Sequence, residues 1–225
     1  MELHLWLLLI AGSMADQNMR DNVFLFPSQS ASDYVLLTPK MTGPLQKLTV
    51  CLRSNTDRGG SALFTVGTPE SRIRNIFSIL PFTMANPYFY CKIYINNTDV
   101  TINAKADVLS WIHMCVTWDS NTGVVELWVN GRAFIRRVLQ KGFSIDLQEG
   151  IALGQMRRNS RREWETALPF QGEITDVNMW NSVLSPGYIK QVQQHHNMIG
   201  NVISWWSLNY TIKGNVIVQP KSIWK

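Results

Sequence analysis

Short apolar runs, each cut off by turn residues within a few positions, constrain this chain more than any other feature. The runs at 23–26, 48–52, 89–95, 111–118, 124–129 and 174–180 have the length of strands and follow one another along the sequence, the pattern of an all-β sandwich or barrel. Asp119-Ser120-Asn121-Thr122-Gly123 supplies one turn, and Asn130-Gly131 supplies a dipeptide suited to the positive φ of a tight hairpin. Phe89, Cys91, Ile93 and Ile95 fall on one face of their strand, with Tyr88, Tyr90, Lys92 and Tyr94 on the other. Nine tryptophans suit a packed, strand-rich interior. One helix interrupts the pattern. Ser185-Pro186 caps and starts it, and Ile189, Val192 and His196 recur at helical spacing towards Gly200. Strand-like runs return at 202–208 and 216–218. With 225 residues, 45% of them hydrophobic, and no internal repeat or linker, one large domain is the simplest organisation.

The first residues predict export. Leu3, Leu5, Trp6, Leu7, Leu8, Leu9 and Ile10 form an apolar run too short for a bilayer, followed by the small-x-small pattern Ser13-Met14-Ala15. The expectation is a signal peptide at 1–15, a mature domain at 16–225, and a secreted, extracellular protein. Cysteines in an exported chain are disulfide candidates first. Cys51, Cys91 and Cys115 make an odd count, so one is free or is paired between chains. The inward phase of Cys91 predicts a buried thiol. A net charge of +5 and a pI near 9.2 favour acidic partners.

His113-Met114-Cys115-Val116-Thr117-Trp118-Asp119-Ser120 matches the pentraxin pattern His-x-Cys-x-Ser/Thr-Trp-x-Ser/Thr. The likeness continues through Val23-Phe24-Leu25-Phe26-Pro27, Leu48-Thr49-Val50-Cys51, Trp128-Val129-Asn130-Gly131, Leu153-Gly154-Gln155, Gly172-Glu173-Ile174, Met179-Trp180 and Val183-Leu184-Ser185-Pro186. Nearly all of 16–225 therefore resembles the pentraxin family. The resemblance implies a two-sheet, lectin-like jelly-roll β-sandwich with one long helix on one face, a Cys51–Cys115 disulfide, and a cyclic pentamer. It also implies a non-catalytic pattern-recognition role in innate immunity, with complement or immune receptors as further partners.

Relatives of this kind hold calcium on the face opposite the helix through oxygen ligands, which a hard cation requires. The family's Glu-Gln-Asp run falls on Met156-Arg157-Arg158, its Asp-Asn pair on Ile73-Arg74 (or on Arg74-Asn75 after a one-residue slip), and a later Gln near Leu168. Guanidinium groups remove ligands and repel the ion, so the expectation is that calcium binding is lost and no cofactor is held. Ile79 stands where a ring is often found beside the ligand, and Tyr94 and Asp99 match positions that flank it. Arg157, Arg158, Arg161 and Arg162 crowd the altered loop. Their forked donors suit anionic ligands: phosphorylated headgroups, sulfated glycans or extracellular nucleic acid.

Two other classes compete. A non-ligating structural or decoy subunit explains the missing ligands without using the arginines. A jelly-roll glycosidase needs two carboxylates flanking the sugar bond. Glu173 and Asp176 are the nearest pair in a strand, but an odd offset of three sends them to opposite faces. His195-His196 ends the helix, where histidine favours the dipole. Asn96-Asn97-Thr98 and Asn209-Tyr210-Thr211 are glycan acceptor patterns, with Asn96 the stronger candidate.

Overall fold

Burial along Tyr88–Ile95 alternates as the spacing predicts. Phe89, Cys91, Ile93 and Ile95 are buried, whereas Tyr88 is 54% exposed. The same period organises the neighbouring strands into two stacked sheets. The computed structural model describes residues 16–73, 75–84, 87–106, 111–157, 163–194 and 197–222. The expected signal peptide at 1–15 lies outside these, as do Arg74, Arg158, Arg161, Arg162, His195 and His196.

Among the described residues, an eight-stranded sheet runs in the order Arg132–Ala133, Val124–Val129, Ile112–Asp119, Lys47–Asn55, Gly172–Trp180, Asn22–Phe26, Ile217–Pro220, with Arg137–Val138 also pairing Val124–Val129. A seven-stranded sheet runs Asn209–Lys213, Tyr34–Thr38, Ile151–Leu153, Phe64–Val66, Phe77–Thr83, Tyr88–Ile95, Thr98–Lys105. All recorded pairings in these sheets are antiparallel, and consecutive strands often sit in different sheets. Phe24, Phe26, Phe64, Phe77, Phe89, Trp118, Phe170 and Trp205 fill the space between the sheets, each essentially unexposed. Trp118 is kept there without an orphaned donor, because its indole N–H reaches the carbonyl of Leu139 at 3.0 Å.

Two hairpins follow from asparagines that tolerate positive φ. Asn130 and Gly131 (φ 48° and 77°) join Val124–Val129 to Arg132–Ala133, and Asn96 and Asn97 (φ 47° and 63°) join Tyr88–Ile95 to Thr98–Lys105.

Among the described residues the helix runs over Pro186–Gln194. Ser185 caps it as predicted: its Oγ accepts from the Tyr188 amide, and its carbonyl accepts from the Ile189 amide. Ile189 and Val192 face inward onto Cys51, Cys115, Trp128 and Trp180, so the helix covers the outer face of the eight-stranded sheet. The strand expected at 202–208 is not formed. Ile203 makes a single bridge to Met179, and Trp205–Ser207 turns as a 3₁₀ helix, which seats Trp205 in the core. No helix among the described residues is long and apolar enough to cross a membrane.

Candidate functional site

The face opposite the helix is the outer surface of the seven-stranded sheet, and its residues are set by strand register. Pairing of Leu80 with Lys92, Phe82 with Tyr90, Ser78 with Tyr94, and Tyr94 with Asp99 puts these side chains on that surface. Ile79 pairs with Ile93 and packs in the core between the sheets, whereas Leu80, equally buried, packs on the other face against Ala62 and Met156. The expectation that Ile79 stands beside a ligand is therefore corrected. A one-residue slip exchanges the two faces of a strand, and Leu80 is the residue on the outer face.

A loop after Ile151–Leu153 lies across this surface. Gly154 makes the turn at φ 85°, where a Cβ would come within 2.4 Å of the Phe26 ring. Gln155 is then buried, its amide donating to the Ser30 carbonyl at 2.6 Å. Met156 is fully buried and packs with Ala62 and Leu80, and Phe82, Tyr94 and Leu168 close the cluster from outside. Met156 and Leu168, the two positions onto which the sequence resemblance maps oxygen ligands, are thus part of an apolar cluster. Phe82 and Tyr90 stack beside it at 4.9 Å and 9°.

Arg157 behaves differently from the sequence expectation. Its side chain is only 7% exposed, and Nη1 donates to the Ser71 carbonyl at 2.6 Å. Ser71 is in turn locked: its Oγ accepts from the Thr68 amide and donates to the Glu149 carbonyl, while Glu149 Oε2 accepts from the Arg72 amide. The guanidinium therefore ties the 154–157 loop to the 67–73 loop. Arg157 is withdrawn from any exposed arginine cluster, because burying a guanidinium is tolerable only where its donors are engaged. Ile73 is 40% exposed, and Asn75, at φ 45°, buries an Oδ1 that has no hydrogen-bond partner. Among the described residues at the family's ligand positions, Asn75 alone offers a side-chain oxygen; thioether, isobutyl and guanidinium groups do not fit a hard cation. Tyr94 and Asp99 face each other across two strands, with Asp99 3.7 Å from Lys92 Nζ.

Other candidates resolve clearly. Cys51 and Cys115 form a disulfide. His113 Nε2 lies 3.7 Å from Cys115 Sγ, but with both sulfurs bonded to each other neither is a thiolate available to a metal. Cys91 keeps a free thiol, and burial pushes its pKa up to about 12, so it is inert towards exchange at neutral pH. Glu173 and Asp176 do not fall on opposite faces. A bulge between Thr175 and Asn178, with Asp176 at φ 54°, cancels the odd offset: Ile174 and Val177, three apart, both enter the core. Asp176 is held by Arg53 at 3.1 Å and Lys221 at 2.6 Å, which gives it a structural assignment. Asn96 Nδ2 donates to Gln140 Oε1 at 3.3 Å, and Asn209 begins an outer strand opposite Thr38.

The Ser71–Arg157 tie was not foreseen, and only the parity of 77–83, fixed by pairing, could have replaced Ile79 by Leu80. Residues 22–220 match the Pentaxin family. C-reactive protein of Xenopus laevis is 38% identical over 219 residues, 96% of this chain and 90% of that protein. Serum amyloid P-component of Mesocricetus auratus is 33% identical, with 96% and 90% covered. The crystal structure of a native heptameric SAP-like pentraxin from Limulus polyphemus superposes with a TM-score of 0.77 at 20% identity, covering 91% of this chain and 97% of that one. Matched along almost its whole length and in its two-sheet architecture, the chain belongs to the pentaxin family.

Proposed function

We propose that this protein is a secreted, non-catalytic recognition protein of innate immunity that binds anionic ligands without calcium. The observation that carries the reading is the apolar cluster of Met156 and Leu168 with the Arg157–Ser71 tie beside it. Among the described residues at the expected ligand positions Asn75 alone offers a side-chain oxygen, too little to hold a hard cation, and Arg157 adds positive charge there while its Nη1 stays on Ser71. Arg158, Arg161 and Arg162 follow in sequence and are the anion-binding groups, with Tyr94 and Asp99 alongside. Assembly into a ring multiplies weak contacts. Ile135 and Val138, 68% and 67% exposed on the edge of the eight-stranded sheet, supply an apolar surface for that assembly.

Binding of heparin, DNA or phosphorylated-lipid vesicles is expected to survive chelator and to fall as salt rises, since exposed charges are screened beyond about 10 Å at 0.1 M. Reversing Arg158, Arg161 and Arg162 together to Glu abolishes it. Thermal melts with calcium and with chelator should coincide. A calcium-dependent gain approaching the ~4 kcal/mol of ligand at 1,000 times its dissociation constant overturns the reading. If wild type binds none of these anions at low salt, the non-ligating subunit is preferred.

Asn96 is expected to carry a glycan. Its Nδ2 keeps one hydrogen after modification and so retains the bond to Gln140. Endoglycosidase treatment of the secreted protein should lower its mass, and Asn96→Gln should remove most of that change. An unchanged mass sinks the assignment.

A further inference from the structure

Asn130-Gly131 is the only Asn-Gly pair in the chain, and it forms the exposed tip between Val124–Val129 and Arg132–Ala133. The Asn130 side chain is tied at one atom. Its Oδ1 accepts from the His113 amide at 2.9 Å, while the Asn130 amide donates to the His113 carbonyl at 2.8 Å. These two bonds anchor residue 130 to the neighbouring strand Ile112–Asp119, and the first polarises the side-chain carbonyl. Nδ2 makes no hydrogen bond among the described residues, and Asn130 is exposed, so this group can leave into solvent. The next main-chain nitrogen, that of Gly131, also donates to no acceptor among the described residues. Glycine brings no Cβ to crowd an approach along it. An activated carbonyl, a free leaving group and an unengaged nitrogen therefore meet within one dipeptide.

We propose that Asn130 is a site of spontaneous covalent modification, in which the Gly131 nitrogen attacks Asn130 Cγ and the side-chain amide is lost. The N–Cγ bond forms and the Cγ–Nδ2 bond breaks, and Nδ2 departs as ammonia with the proton given up by the Gly131 nitrogen. One water then opens the resulting succinimide. Addition at Cγ gives aspartate, and addition at the main-chain carbonyl gives isoaspartate, with no change of oxidation state in either. Negative charge gathers on Oδ1 in the tetrahedral intermediate, and the His113 amide is a fixed donor to that oxygen, the role of an oxyanion hole. Ring closure requires the Asn130–Gly131 peptide to rotate out of its positive-φ turn. Arg132–Ala133 is two residues long and ends its sheet, so this opening breaks few bonds. The product carries a carboxylate that Gly131 alone separates from the exposed Arg132. Isoaspartate also lengthens the main chain where Gly131 meets the helix end, since a Cβ built on Gly131 would lie 3.5 Å from Gln193 Oε1. None of this chemistry depends on the ligand face.

The test incubates the full secreted protein, folded, at body temperature and neutral pH, with a urea-unfolded sample alongside. Peptide mapping and labelling by an isoaspartyl methyltransferase follow residue 130. Aspartate and isoaspartate are both expected there, formed in the folded protein within about tenfold of the rate in the unfolded chain. That factor corresponds to ~1.4 kcal/mol for opening the tip. Asn121 and Asn201, exposed but not followed by glycine, should keep their amides over the same time. Asn130→Gly preserves the turn, because glycine accepts the same positive φ, and should abolish the isoaspartyl label. If the folded protein keeps its Asn130 amide while the unfolded chain loses it, the hairpin protects the residue and the proposal fails. It fails equally if Asn130→Gly labels as strongly as wild type.

Discussion

Replacing Cys51 and Cys115 together by Ala lowers the stability of the domain by about 4 kcal/mol, and its melting temperature by roughly 8–16 °C. The bridge closes a separation of 64 residues, and the chain-entropy account gives that magnitude for a loop of this length. Packing adds to it. The two cysteines face each other across the central strands Lys47–Asn55 and Ile112–Asp119, directly beneath the helix, where they contact Trp128, Trp180, Ile189 and Val192. Losing the sulfurs leaves a void under the helix, so its amides should exchange faster than those of the sheet core. Cys91 is a built-in control: Cys91→Ala removes one buried sulfur without opening a covalent loop and should cost less. Where the double variant is not secreted, reduction of purified wild type by a dithiol reads the same quantity. A melting shift below about 3 °C would show that the sheet, not the bridge, holds these strands.

Much of the architecture was legible because it rests on short-range chemistry. Period-two burial in 88–95, the Asn-Gly turn at 130–131, the Ser185 cap and the pattern around His113 and Cys115 each carry their structural reason within a few residues. The site was less legible because its geometry depends on pairing between distant strands. Ile79 and Leu80 are both aliphatic, and only registration of Phe77–Thr83 against Tyr88–Ile95 decides which one faces the ligand surface. The bulge at Asp176 likewise adds one residue that no parity argument on the strand alone detects. Arg157 looks like a surface cation by composition. Its burial follows from the carbonyl of Ser71, more than eighty positions away, being in place to receive it. The run 202–208 has strand composition, but there the indole of Trp205 fills the core from a turn. Tertiary packing overrode local preference.

Asp176→Asn should destabilise the protein by about 3 kcal/mol, at the lower end of the 3–5 kcal/mol typical of breaking a buried charge pair. The carboxylate is 11% exposed and lies between two cations, with Arg53 Nε on one oxygen and Lys221 Nζ on the other. Arg53, also 11% exposed, is fixed further by a bond from its guanidinium to the Gln193 carbonyl at the end of the helix. Burial lowers the Arg53 pKa, and the charge and hydrogen bond of Asp176 act against that shift. Removing the carboxylate therefore leaves a desolvated guanidinium uncompensated, while Lys221, near the end of the chain, can turn to solvent. Asn is the cleaner substitution because it tolerates the φ of 54° at this bulge; Asp176→Ala adds about 1 kcal/mol of backbone strain. The charge argument makes a second demand. Arg53→Met placed in the Asp176→Asn background should recover part of the loss, because an apolar side chain of similar length carries no desolvation cost. Urea unfolding of the two single variants and the double variant closes the cycle. A recovery of stability in the double variant, with slower exchange at the helix end than in Asp176→Asn, is the expected result. If Asp176→Asn stays within about 0.5 kcal/mol of wild type, the ion pairs are screened surface contacts and the helix is held by Ile189 and Val192 alone.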